Sequence, residues 1–99
     1  MLTITAIIRA RKGDEQAMLQ GLLEVAEHVR ENEPATVGFF VSQDRSDPCV
    51  FTTYERFTDQ AAMDLHNGSA VVARFFGIAN PILDGDVTLV TSNEVSAKA

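Results

Sequence analysis

Residues Leu2 to Arg9 alternate between two faces. Leu2, Ile4, Ala6 and Ile8 point one way; Thr3, Thr5, Ile7 and Arg9 point the other. That period of two predicts a β-strand. After Arg11-Lys12-Gly13 the period changes. Met18, Leu19, Leu22, Leu23, Val25, Ala26 and Val29 recur at steps of three and four, with Glu15, Gln20, Glu24, Glu27 and Arg30 between them. This predicts an amphipathic helix over 14–31, about five turns at ~3.6 residues each, N-capped by Asp14 and stopped by Asn32 and Pro34. Strand character returns over 36–43, with Val37, Phe39 and Val41 on one face and Phe40 on the other. Asp44-Arg45-Ser46-Asp47-Pro48 has the chemistry of a hairpin loop. In the strand expected over 49–57, Phe51, Thr53, Glu55 and Phe57 share one side, and Val50, Thr52, Tyr54 and Arg56 the other. Thr58 or Asp59 can cap a second helix through Leu65. Asn67-Gly68 interrupts it, and Ser69 can cap a continuation bearing Val71, Val72, Phe75, Phe76 and Ile78, which Gly77, Asn80 and Pro81 close. A last strand is expected over 86–95 and a loose tail over 96–99.

The resulting order, β-α-β-β-α-β, is an α+β class. With right-handed crossovers it gives the ferredoxin-like sandwich: one antiparallel sheet carrying its helices on one face. A sheet open on its other side should alternate cleanly between apolar and polar residues. This one does not. Ile7, Phe40, Val50 and Tyr54 fall opposite Ile4, Phe39, Phe51 and Phe57. An uncovered apolar face of this kind marks an interface, so a homodimer packed sheet against sheet is expected.

The chain has 99 residues, which suits a single domain over 1–99. Its formal charge of −6 disfavours a nucleic-acid partner, which needs a basic face. One cysteine excludes a disulfide framework and a cysteine-rich zinc module. No run of roughly 20 apolar residues exists to span a membrane, and 1–10 lacks the basic start of a targeting segment. A cytoplasmic location is therefore expected, with Cys49 reduced and acting as a small packing residue.

Motifs for nucleotide binding, zinc proteolysis and the serine nucleophile elbow are absent. The chemistry-bearing groups are Glu55, His66 and His28. Glu55 lies between Phe51 and Phe57 on one strand face, where a carboxylate is costly unless it is hydrogen-bonded. His66 ends the second helix; it is either a general base or a helix-end group that satisfies carbonyls. Glu55 is either the carboxylate that orients this imidazole or the partner of an arginine. His28 lies one turn after Glu24, facing solvent or a cavity edge. No spacing supports a metal site.

At Glu55 the chain resembles the antibiotic biosynthesis monooxygenase family. The residues that carry the likeness are Tyr54-Glu55-Arg56-Phe57-Thr58-Asp59-Gln60-Ala61-Ala62, then Leu65-His66-Asn67-Gly68-Ser69, then Phe75-Phe76. Gly13 after the first strand and Gly38-Phe39 also fit. The resemblance implies a dimeric α+β barrel of ferredoxin-like subunits, each with a pocket between helices and sheet. Its members include cofactor-independent quinol and polyketide monooxygenases, haem-degrading enzymes, and an isomerase of a phosphorylated quorum-sensing sugar (autoinducer-2 phosphate). By position, Glu55 and His66 match the family's recurrent polar pair, Phe57 the aromatic after the Glu, and His28 a helix histidine of the isomerase branch. Phe51, Thr53, Glu55 and Phe57 would face the pocket with Ile4, Ala6 and Ile8. Three departures narrow the choice. Ala6, Phe57 and Phe75 stand where the haem-degrading branch has Asn, Trp and His. Asn67 stands where the isomerase has Lys. The chain also has no Trp, which the aromatic-polyketide enzymes use.

The expected activity is therefore oxidation of a small phenolic, quinol-like or polyketide-like compound by dioxygen, with no cofactor. Phe40, Phe57, Phe75 and Phe76 would supply an apolar cavity. His66 would take the phenolic proton while Glu55 orients its ring. The alternatives are an isomerase that shuttles a proton beside a carbonyl, and a non-catalytic ligand-binding dimer. The last is favoured if Glu55 and His66 lie beyond hydrogen-bond reach with no cavity between them.

Overall fold

In the computed structural model, which describes residues 1–98, strand β1 (Leu2–Arg9) runs into a turn at Gly13. Gly13 has a φ of +99°, a left-handed conformation open to glycine at no steric cost. Helix α1 (Glu15–Asn32) follows. Its start differs from expectation. Asp14 sits at the N-cap without a side-chain bond, and Glu15 instead accepts from the Gly13 amide at 3.0 Å. The helix buries Met18, Gly21, Leu22, Val25 and Val29, whereas Leu23 at its margin is exposed. Strands β2 (Thr36–Gln43) and β3 (Val50–Phe57) form the expected hairpin. Helix α2 (Gln60–Asn67) is capped by the Asp59 side chain on the Ala62 amide. Helix α3 (Ala70–Ala79) is capped by Ser69 on the Val72 amide, and a 3₁₀ turn over Asn80–Ile82 ends it. The last strand, β4, covers only Thr88–Asn93. Residues 94–98 carry no regular structure, and Ala99 of the expected tail lies outside the described residues.

The four strands form one antiparallel sheet in the order β2-β3-β1-β4. This is the split β-α-β arrangement, in which β3 inserts between the strands that α1 connects. The inner face carries the core. Ala6, Ile8 and Phe51 pack against Met18, Leu22 and Val25 of α1 and Phe75 of α3. A smaller cluster of Ile4, Phe57, Ala62 and Met63 fills the space beneath α2. In β2 a register shift between Thr36 and Gly38 adds one residue, Val37. Such a bulge resets the alternation. Thr36 and Phe39 both face inward as a result, while Val37, expected beside Phe39, is exposed.

Strand β4 is exposed along its whole length. Leu89 pairs with the buried Ala6 and so shares the inner face, yet it is 61% exposed. The helices leave that edge of the sheet uncovered. Among the described residues, no helix is long and apolar enough to cross a membrane.

Phe51 is fully buried at the centre of the sheet. Truncation to alanine removes its ring contacts and leaves a void. Phe51→Ala is expected to lower unfolding stability by ~3–5 kcal/mol, read from the urea midpoint at constant slope.

Candidate active site

Three elements bring ionisable side chains to one buried point. Glu33 follows α1 directly. Its amide bonds the Val29 carbonyl, and the following Pro34 keeps its backbone out of the helix. Glu55 points inward from β3, as its place between Phe51 and Phe57 requires. His66 occupies the last turn of α2, which the Gly68 C-cap closes. The imidazole lies between the carboxylates. His66 Nδ1 is 2.8 Å from Glu33 Oε1, and Nε2 is 3.3 Å from Glu55 Oε1. Thr36 Oγ1 donates to Glu33 Oε1 and Thr53 Oγ1 to Glu55 Oε2, each at 2.8 Å. The rings of Phe39 and Phe57 flank the imidazole, with centroids 5.6 and 5.4 Å away. His66, Glu33 and Glu55 are all buried.

Burial by itself pulls the His66 imidazolium toward its neutral form. Hydrogen bonds and charge from Glu55 and Glu33 outweigh that loss, and the net shift is upward. Each ring nitrogen thus faces a carboxylate oxygen, an arrangement that favours the charged imidazole over the neutral one.

A cavity of about 210 Å³ opens above this group, between the inner face of the sheet and helices α1 and α3. Thr53, Glu55, His66 and Asn67 form its polar floor. The walls are apolar: Ile4, Ala6 and Ile8 from β1, Phe75 and Phe76 from α3, and Leu89 from β4 among them. Small Ala6 in the middle of β1 leaves the space open. Among the described residues, no lysine or arginine lines it.

Glu55 and His66, paired in the sequence reading, thus meet at the cavity floor. Thr53, Phe75 and Phe76 also lie where they were expected. Other positions need correction. Phe40 does not reach the cavity. It is 58% exposed on the outer sheet face and stacks on Tyr54, because alternation in β2 sends Phe39 inward and Phe40 out. Phe51 is sealed in the core, and Phe57 packs behind His66; neither lines the cavity. His28 is also outside it, on α1, with Nε2 3.3 Å from Glu33 Oε2. Glu33 went unread in the sequence. Its one local signal is a carboxylate between the helix and Pro34. Cys49 is buried against Glu15, its Sγ 3.6 Å from Oε2. Burial and the Glu15 charge push its thiol up, away from the reactive thiolate. Among the described residues, no group of three His, Cys, Asp or Glu side chains is arranged to hold a metal ion.

Residues 1–77 match the model of a family described as antibiotic biosynthesis monooxygenase. The chain belongs to the antibiotic biosynthesis monooxygenase family. Among solved structures it is similar to one described as an antibiotic biosynthesis monooxygenase (26% identity, 97% of this chain and 100% of the other, TM-score 0.88). A Pseudomonas aeruginosa protein matches at 26% identity over 96% of this chain and 94% of its own, with a TM-score of 0.84. A Mycobacterium tuberculosis protein shares the fold alone, at 15% identity over 99% and 98% of the chains and a TM-score of 0.90. No curated protein matches the chain. The monooxygenase family model ends before Val87 and Leu89, so the β4 wall of this cavity lies outside the residues it matches.

The His66 arrangement has a consequence for stability. A raised folded-state pKa stabilises the fold fully below the unfolded value, near 6.5, and that contribution is lost as pH rises through the higher folded value. The urea midpoint should therefore fall as pH climbs above ~6.5. In His66→Gln this component of the decline should be missing.

Proposed function

We propose that this chain is a cofactor-independent monooxygenase acting on a small neutral phenol or quinol. The observation that carries the reading is the buried Glu33–His66–Glu55 group, whose Glu55 and His66 form part of the floor of an apolar cavity. Such a floor can remove a proton from a bound hydroxyl and hold the resulting anion away from water. Because both His66 ring nitrogens face carboxylates, which favours the charged ring, the roles are the reverse of those expected from sequence. Glu55 takes the phenolic proton, using the lone pairs that Thr53 and His66 leave free. His66 stabilises the phenolate as it forms. The electron-rich anion then passes an electron to dioxygen, and the two radicals combine at a ring carbon. Loss of water leaves a carbonyl there. One oxygen atom enters the ring, the other leaves in water, and the phenol becomes a quinone.

Size and charge narrow the substrate. A cavity of ~150 Å³ lined by apolar side chains accommodates benzene. The 210 Å³ here suits one substituted ring rather than a multi-ring polyketide. Glu55 is the acidic side chain of the lining, and a second carboxylate, Glu33, lies behind His66. With no lysine or arginine among the lining residues, a phosphorylated or carboxylated ligand would meet repulsion. This weighs against the phosphosugar isomerase alternative. The separation of Glu55 from His66 that would favour a merely binding domain is not found.

Oxygen uptake with a panel of reduced single-ring quinones tests the reading. Glu55→Gln and His66→Ala should each lower the rate by about 10²–10⁴-fold. Full activity in either variant ends its assigned role. Solvent deuterium entering substrate under nitrogen, with no oxygen uptake, would replace oxygenation by isomerisation.

The outer sheet face supports a homodimer. Phe40, Tyr54, Thr5 and Val90 are register partners in one row across all four strands, and Ile7 lies on the same face. Phe40, Val90 and Ile7 are 58, 50 and 45% exposed. A second copy related by a two-fold axis would bury this row. The 10.8 kDa chain should sediment at twice its mass at micromolar concentration. Phe40→Asp should shift it toward the monomer, and a wild-type monomer would remove the dimer.

A further inference from the structure

We propose that Asn67 sets the specificity of the cavity: its side-chain amide binds a second oxygen on the ring, so the ligand class is a ring with two oxygen substituents rather than a monohydric phenol. The role rests on the reading of the cavity as a site for a single phenolic ring. Thr53, Glu55, His66 and Asn67 are the polar side chains of the lining. Three of them are turned to one another or to Glu33. Thr53 Oγ1 donates to Glu55 Oε2 at 2.8 Å. His66 sets Nε2 3.3 Å from Glu55 Oε1 and Nδ1 2.8 Å from Glu33 Oε1. Among the described residues of the lining, Asn67 is the remaining polar side chain. Its amide keeps its N–H donors and its acceptor oxygen for a ligand.

The fold makes no use of that amide. Asparagine at a helix end sometimes takes the left-handed conformation that caps it. Asn67 does not: it is the last residue of α2, Gly68 follows as the C-cap, and no non-glycine residue among those described has a positive φ. The Gly68 amide closes the helix on the Asp64 and His66 carbonyls. Nearby, Gln60 bonds Asp64 and Ser69 caps α3, and no hydrogen bond among the described residues uses the Asn67 side chain.

Depth separates the two polar ends. His66 is 3% exposed, whereas Asn67, turned about 100° further round the helix axis, is exposed. A ligand hydroxyl at Glu55 and His66 therefore lies at the closed end, with Asn67 toward solvent. Every other lining side chain is apolar. A second oxygen on the ring thus finds its uncommitted hydrogen-bond partner at Asn67. The amide is neutral and two-sided. Its Oδ1 accepts from a hydroxyl and its Nδ2 donates to a carbonyl, which suits a quinol and its quinone alike. An anionic substituent would gain no opposite charge there.

Affinities of 4-methylphenol and of the dihydroxybenzene isomers are measured under nitrogen, by titrating the backbone amide NMR spectrum of the intact wild-type chain, Asn67→Ala and Asn67→Leu. Alanine removes the amide without filling space, and leucine keeps its size. The affinity ratio of a dihydroxybenzene to 4-methylphenol should fall about two- to tenfold in both variants for at least one isomer, the factor that one neutral hydrogen bond contributes. 4-Methylphenol should still bind both. A ratio unchanged for every isomer in either variant overturns the role of Asn67, while the single-ring cavity stands because 4-methylphenol binds. Loss of 4-methylphenol binding in both variants also overturns it, since Asn67 would then act by packing. Failure of every ring to bind the wild type removes the cavity reading and this role together. A ratio that falls as expected supports the role even if oxygen uptake fails, which sinks the oxygenase alone.

Discussion

An imidazole held between two carboxylates ties three separate segments of this fold to one point. Removing a charge from water costs several kcal/mol per ion, and only close pairing with further hydrogen bonds offsets it. Each carboxylate accordingly accepts a threonine hydroxyl as well as facing His66. The arrangement fixes position more than it adds stability. Glu33 comes from the end of α1, His66 from the last turn of α2 and Glu55 from the inner face of β3. The β2 bulge serves the same group, since it turns both Thr36 and Phe39 toward it.

The hollow beside this group follows from what the helices fail to cover. The chain breaks at Asn67-Gly68-Ser69, so α2 shelters the β2–β3 end of the sheet while α3 packs on α1. Neither reaches β4. Residues whose side chains point to the inner face at that edge, Leu89 foremost, become cavity wall instead of core. Small Ala6 opposite Thr53 and Leu89 keeps the centre open. An apolar enclosure with a charged floor is the setting in which a proton transfer is strongest, because low local polarity magnifies each electrostatic interaction.

The two sheet faces divide the work. The inner face builds core and cavity. The outer face carries a row from Phe40 to Val90 that no part of the described chain covers. Arg56 and Glu94 also lie there, paired at 3.0 and 3.1 Å. Glu94 raises the guanidinium pKa, and the Arg56 hydrogen bond lowers that of the carboxyl. The pair links the residue after β4 to β3. An apolar row beside a bidentate ion pair gives this face both area and orientation.

Periodicity determined the element order and the two faces of β1 and β3, since alternation and helical spacing are local properties; the topology needed the right-handed crossover rule as well, and the resemblance said which face turns inward. Glu55 and His66 were legible for a related reason: a carboxylate among aromatics and a histidine at a helix break each violate the local pattern. Phe39 was placed correctly by alternation, but Val37 was not, because a bulge changes parity without a clear mark in the residues. Phe51 and Phe57 were assigned to the pocket because they share the Glu55 face of β3, and Phe40 as an apolar ring; a shared face does not say which side chains the core seals, and aromatic character does not say which side of a wall a ring occupies. Glu33 belongs wholly to the tertiary structure. It lies 33 residues before His66, and nothing in its own neighbourhood distinguishes it from any acid at a helix end. Only the tertiary placement of His66 beside it, with α2 seated on β2 and β3, turns it into half of a buried clamp.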